Sequence, residues 1–260
     1  MLQDINAGRQ TNFLCICPRH LRSLFVLIQK GDQSESDEEE AMSRLHVCAA
    51  SIADVAQHFG VSDIPAIAPL GETVEGLPGL AVLQHNGRRR LKMMDWGFPR
   101  LTREMRERDE LPGRVGLVAD LTNPMWEQLV QDVRYRCLIP ISHFANPDGV
   151  AGAKTRTWFS VKGQPIVAWA GFCRNIPDYG PVYAGMTMDA NAAVAPTNDR
   201  MPVLLSPSDH DRWLSGSIRD VIGFQFGAPI AADRLVVEHT EDAWRSGKLP
   251  KTAEPQRALL

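Results

Sequence analysis

The chain has 260 residues, 28 basic against 31 acidic side chains, a net charge of −3 and 44% apolar residues. That length predicts one or two domains, and the composition excludes a collagen-like, coiled-coil, disordered or disulfide-scaffold chain. No global positive field draws in nucleic acid, so any binding of DNA or RNA must rest on a local patch.

Cys15, Cys17, Cys48, Cys137 and Cys173 are odd in number and scattered, which fits a reducing, cytoplasmic location. Cys15 and Cys17 have no nearby histidine or second cysteine pair, so no metal or cofactor is expected. The apolar run Phe13 to Ile28 is broken by Pro18, Arg19, His20 and Arg22. Its pieces are shorter than the roughly 20 residues of a spanning helix, so no membrane association is expected. Gly31 to Glu40 (GDQSESDEEE) has the composition of a solvated linker. Residues 1–43 therefore read as a flexible acidic extension, with Met42 a candidate natural start. Residues 44–248 read as one domain and 249–260 as a tail.

Ser51 to Gly60 predicts a helix: Ser51 is the N-cap, Ile52, Val55, Ala56 and Phe59 share a face, and Gly60 ends it. Leu80 to His85, Asn86-Gly87 and Arg88 to Met94 predict a hairpin, since Asn-Gly suits a type I′ turn. Residues 98–114 read as a surface loop with a helical turn, and Pro124 to Val133 as a helix capped by Asn123. Strands follow at 136–141, 157–161 paired with 165–172, 181–188 and 235–238. A helix is expected over Pro207 to Leu214, capped by Ser208 and turning Trp213 and Leu214 inward. Strands outnumber helices without alternating with them. The fold class is therefore mixed α+β, a single domain with a curved, mostly antiparallel sheet and a few flanking helices.

The chain carries no GxxxxGK[ST] loop, GxGxxG fingerprint, HExxH helix or GxSxG elbow. The seven histidines are not spaced as ligand clusters, and a lone one such as His143 reads as a structural group. Residues 86–114 hold nine Lys/Arg, among them Arg88, Arg89 and Arg90, against five acids. This local excess of basic charge beside Trp96 could track a phosphate backbone. It could equally be a solvated surface with helix-spaced ion pairs such as Arg103–Glu107.

Four stretches, taken together, resemble the SOS-response-associated peptidase (SRAP) family of abasic-site processing proteins. They are His46-Val47-Cys48-Ala49-Ala50; Met94-Asp95-Trp96-Gly97-Phe98; Arg136-Cys137-Leu138-Ile139-Pro140 with Phe144; and Asn198-Asp199-Arg200-Met201-Pro202-Val203-Leu204-Leu205 followed by Pro207 and Trp213. The resemblance covers about residues 46–245. It implies a compact α+β domain with a β-barrel-like core and a cleft for single-stranded DNA. It also implies a cysteine exposed as the new N-terminus, whose thiol and α-amine condense with the ring-opened aldehyde of an abasic site to a thiazolidine. An asparagine, a glutamate and a histidine complete the set.

On that resemblance Cys48 stands at the nucleophile position, yet it is internal and has no α-amine. Leu117 and Ala119 stand for an asparagine and an arginine, Asn146 for the glutamate and Asn198 for the histidine. Of the expected set only a thiol and Arg200 remain. Two readings stay open. One is a catalytically degraded protein, monomeric, that grips abasic single-stranded DNA through Arg200, Trp96 and the Arg88–Arg90 segment. The other is an active crosslinking peptidase or lyase that uses Cys48 after N-terminal processing. Each residue also has a plainer reading: Cys48 and Trp96 as core, Asn146 and Asn198 as structural hydrogen-bonding groups, Arg200 as an ion-pair partner.

Overall fold

The Ser51 side chain accepts the Asp54 N–H and opens helix α1 (Ile52–Phe59), which Gly60 closes at φ 65°, a conformation that costs glycine little. The structure, a computed structural model, describes residues 45–64, 66 and 71–250. The acidic extension, Cys15, Cys17 and Met42 lie outside the described residues, as do residues 251–260.

Before α1 runs β1 (Leu45–Val47), and after it come β2 (Glu72–Val74), β3 (Pro78–His85) and β4 (Arg88–Trp96). β3 and β4 form the expected hairpin across Asn86-Gly87, both at positive φ. The expected surface loop over 98–114 is more ordered than that. β5 (Phe98–Arg100) pairs with β6 (Gly113–Val115), and α2 (Arg103–Glu107) lies between them. β7 (Leu117–Val118) follows, then α3 (Pro124–Gln131), whose cap Asn123 accepts the Met125 N–H.

From here strands dominate: β8 (Arg136–Ile141), β9 (His143–Asp148), β10 (Thr155–Val161), β11 (Val167–Ile176) and β12 (Gly180–Asp189). The short strands β13 (Arg200–Pro202) and β14 (Leu204–Leu205) precede α4 (His210–Ser215), α5 (Ile218–Gln225) and β15 (Leu235–Ala243). Ser208 does not cap a helix: a 3-10 turn occupies Pro207–Asp209, and α4 begins only at His210. Trp213 and Leu214 do face inward.

Apart from the β5–β6 pair, two sheets share these strands. β12 pairs in parallel with β4 on one side and antiparallel with β11 on the other, so β12, β4, β3, β8 and β11 close into a ring. The second sheet is antiparallel throughout, in the order β15-β10-β9-β1-β2. Gly171 and Gly185 face each other where the ring bends. A Cβ on Gly185 would lie 1.9 Å from Trp169, and one on Gly171 2.6 Å from Ile139, so only glycine lets the strands approach there.

Ser142 carries the chain from the first sheet to the second: its backbone N–H and its hydroxyl both donate to the Val47 carbonyl, and the hydroxyl accepts the Ala49 N–H. Arg136, 2% exposed, donates to the carbonyls of Trp213, Gly216 and Val130 and ties α3 to α4. The apolar core fills the ring and the space under the helices. A smaller cluster of Leu45, Val47, Ala145 and Trp158 lies in the second sheet, with Trp244 and Leu249 packed against it. The fold is a mixed α+β single domain with a curved sheet and few helices.

Candidate functional site

The loop between β12 and β13 ends in a turn built by asparagines. Asn191 Oδ1 accepts the N–H groups of Ala193 and Val194, and Asn198 Oδ1 accepts the Arg200 N–H at 2.8 Å. Such side-chain acceptance stabilises turns at little cost. The turn sets Asn198 and Arg200 at the mouth of a crevice whose other walls are Leu117, Trp169, Thr187, Met201 and Pro202. The crevice has room for about one water molecule, ≈ 10 Å³.

Arg200 is held on every side. Its guanidinium pairs with Asp189 at 2.6 Å and donates to the carbonyls of Thr187 at 2.8 Å and Ala119 at 3.1 Å. Gln225 of α5 donates to the same two carbonyls. The residue therefore locks β12, β13 and the segment after β7, and its remaining exposure is 23%.

Asn146 reaches the same turn from the second sheet. Fully buried, it donates from Nδ2 to the Thr197 hydroxyl at 2.9 Å, and Thr197 donates to the Val194 carbonyl. Asn146 Oδ1 is a buried acceptor without a partner among the described residues. Asp148 lies two residues further along β9, and Thr157 of β10 is the register partner of both Asn146 and His239 of β15. Thr157 Oγ1 donates to Asp148 at 2.9 Å and lies 3.1 Å from His239 Nδ1.

The structure thus brings Leu117, Asn198 and Arg200 together in one crevice and ties Asn146 to its rim. It does not bring Cys48 there. Asn146 lies just past the Leu45–Ala145 pair of β1 and β9, whereas Cys48 follows the opposite end of β1. The Cys48 thiol is buried in the main core, and that burial pushes its pKa up to about 11 despite the Ala50 N–H beside it. Trp96 is 1% exposed. Its Nε1 donates to the Gly116 carbonyl, and its ring packs on Tyr183, His46 and Trp169, so no face is open to a base.

His46 sits in this aromatic cluster, 2.9 Å from the Tyr183 hydroxyl, and burial pulls its pKa down to about 3. His143 contacts the Ser142 hydroxyl, and burial lowers it to about 4.

The basic segment divides. Arg103 pairs with Glu107 as the helical spacing predicts, Arg108 with Glu110, and Arg114 with the Gly97 carbonyl and Asp95. Arg89 donates to the Phe59 carbonyl at 3.0 Å and to Asp211 at 2.7 Å. Arg88, Arg90 and Lys92 alternate on β4 and are exposed. Sequence reasoning missed Thr197, Thr187, Asp189 and Gln225. The only signal for any of them was adjacency to the Asn198-Asp199-Arg200 stretch.

The family model described as SOS response associated peptidase (SRAP) matches residues 36–237. The chain belongs to that family.

This SRAP protein matches no curated protein. It is similar to a solved protein from Bordetella bronchiseptica, at TM-score 0.63 and 17% identity, covering 76% of this chain and 99% of that one. It is also similar to one from Bacteroides thetaiotaomicron, at TM-score 0.61 and 15% identity, covering 75% and 90%. A phage-related protein from Bordetella bronchiseptica gives TM-score 0.60 at 15% identity, covering 76% and 94%. At such identities the likeness shows the fold alone. Family membership gives this SRAP protein a place in the DNA-damage response, with nucleic acid as the partner class. Among the described residues no helix is long and apolar enough to cross a membrane.

Proposed function

We propose that this SRAP protein binds single-stranded DNA at an abasic position, with the sugar remnant at the crevice rim, and that its crosslinking chemistry is degraded. The observation that carries this reading is the character of the crevice. Its lining offers amide, hydroxyl and guanidinium groups but no carboxylate or imidazole. An asparagine can orient a ligand but cannot take up or release a proton in the working pH range, so general acid–base catalysis has no agent in that lining. Asn146, fully buried behind the Asn198 turn, holds that turn through the Thr197 hydroxyl rather than facing the ligand itself. The internal, buried Cys48 thiol lacks both the adjacent amine and the thiolate that condensation needs.

The test is incubation with an abasic single strand, analysed under native and denaturing conditions. The proposal expects binding that weakens as salt rises and no denaturant-resistant band. A covalent adduct mapped to Cys48 at a processed N-terminus establishes the active enzyme instead. Absence of salt-sensitive binding removes both readings.

A further inference from the structure

Outside the crevice, a groove of ≈ 600 Å³ lies between the C-terminal end of α1, the β3–β4 turn and α4. That volume is in the range of ligand sites, roughly 300–1,000 Å³. Its walls include Phe59, Asp63, Arg88, Arg89, Arg90 and Asp211. The three arginines do different work. Arg89 is spent within the fold: it caps the Phe59 carbonyl at the negative end of α1 and pairs with Asp211, fixing one wall. Arg88 and Arg90 point their charges at no carboxylate among the described residues. A cation without a counter-ion beside a concave surface is available to an anion.

The same face of β4 extends the basic row beyond the groove. Arg88, Arg90 and Lys92 occupy alternate positions of β4, and alternate residues on a strand share a face at a spacing of about 7 Å. Along this stretch β4 has β3 as its strand partner, and it meets β12 only at Asp95 and Trp96. At that end Met94 and Trp96 are buried, so the exposed basic row ends at Lys92.

We infer that the Arg88/Arg90 groove is a second phosphate-contacting station, which holds the backbone of the bound strand away from the crevice. The inference rests on the single-strand reading above and adds a second contact to it, at the groove and the exposed β4 row. Asp63 is the one carboxylate of the groove lining that Arg89 does not pair, and its charge opposes the ligand.

The experiment is fluorescence anisotropy with an oligothymidine of about 16 nucleotides, the upper end of a usual single-strand site, over a salt series. Wild type is compared with Arg88→Ala/Arg90→Ala, with Asp63→Asn, and with Arg103→Ala/Arg108→Ala. The last pair removes equal charge from residues that are ion-paired on the surface. The groove pair is expected to weaken binding about tenfold and to lower the salt slope by about 2, at roughly one per lost phosphate contact. Asp63→Asn is expected to tighten binding, and the control pair to leave the slope near that of wild type. Unchanged affinity in either groove variant overturns the inference, as does a control pair that behaves like the groove pair. Wild type that binds no strand overturns the single-strand reading as well.

Discussion

Asn146 donates its side-chain N–H to the hydroxyl of Thr197 at 2.9 Å, and that one contact fastens β9 of the second sheet to the turn that carries Asn198 and Arg200. Thr197→Val keeps the shape and removes both the acceptor for Asn146 and the donor to the Val194 carbonyl. A buried amide is then left unpaired, which costs about 1–3 kcal/mol. Urea denaturation should show a midpoint lowered accordingly at unchanged slope, and single-strand affinity should fall as the turn loosens. A midpoint within error of wild type means that the contact does not hold the turn.

Arg200 is expected to act as a clamp before anything else. Arg200→Ala removes the charged donor to the Thr187 and Ala119 carbonyls, which keep only Gln225, and leaves Asp189 without its partner. Charged hydrogen bonds to partly buried carbonyls contribute about 1.5–3 kcal/mol each, though Asp189 itself is solvent-screened. Arg200→Lys keeps the charge but lacks the planar fork that reaches two carbonyls at once. The expected order of stability is therefore wild type, then Lys, then Ala. A direct phosphate contact with no structural share predicts instead two variants as stable as wild type, of which only Ala has lost DNA affinity.

Cys48 should be chemically silent in the folded protein. With its thiol pushed up to about 11 from the usual 9.0, the thiolate fraction at neutral pH falls about a hundredfold. Burial blocks the reagent as well. Iodoacetamide at pH 7.5 followed by peptide mass mapping should leave Cys48 unmodified in native protein and modified in guanidinium. Cys48→Ala should cost about 1–2 kcal/mol, the ordinary price of a small core truncation, with strand binding intact. Rapid native labelling at Cys48 contradicts the buried thiol.

How far the sequence reached depends on the range of the forces involved. The α1 and α3 caps, the Asn86-Gly87 turn and the run from Arg136 to Ile141 are set by neighbours in the chain, and they stand as expected. α5 was legible in principle, because Ser217 and Asp220 form a capping box, but its short apolar stripe is weak. β1, β2 and β9 were missed because each is defined by a partner far along the chain. The site divides in the same way. Asn198 and Arg200 were named by resemblance as neighbours in one stretch, whereas the turn between them and the Thr187, Ala119 and Gln225 contacts appear only in the structure. Trp96 looked like a stacking candidate because a tryptophan beside arginines reads the same whether it faces solvent or Gly116. Cys48 was matched by local motif, and only the pairing of β1 with β9 shows that it lies past the strand end remote from Asn146.

Acid should unfold this protein in a window set by buried histidines. Burial holds His46 at about 3 and His143 and His210 at about 4, with Arg89 adding to the effect at His210. All three folded values lie below the roughly 6.5 of an unfolded histidine. The folded state therefore keeps these rings neutral while the unfolded chain takes up protons. Their contribution is fully present above pH 6.5 and is lost as the pH falls from there toward 4. With three protons taken up preferentially by the unfolded state, the slope approaches about 4 kcal/mol per pH unit. Carboxylates such as Asp220, held at about 2 first of all by Arg212, act only further down, below the usual carboxylate range. Urea midpoints between pH 7 and 5 therefore isolate the histidines. His46→Phe preserves a ring against Trp96 and Trp169 but leaves the Tyr183 hydroxyl without its partner. It should lower stability at pH 7 yet flatten the decline by about one proton's share. Stability that stays level from pH 7 to pH 5 in wild type rules out neutral buried rings at all three positions.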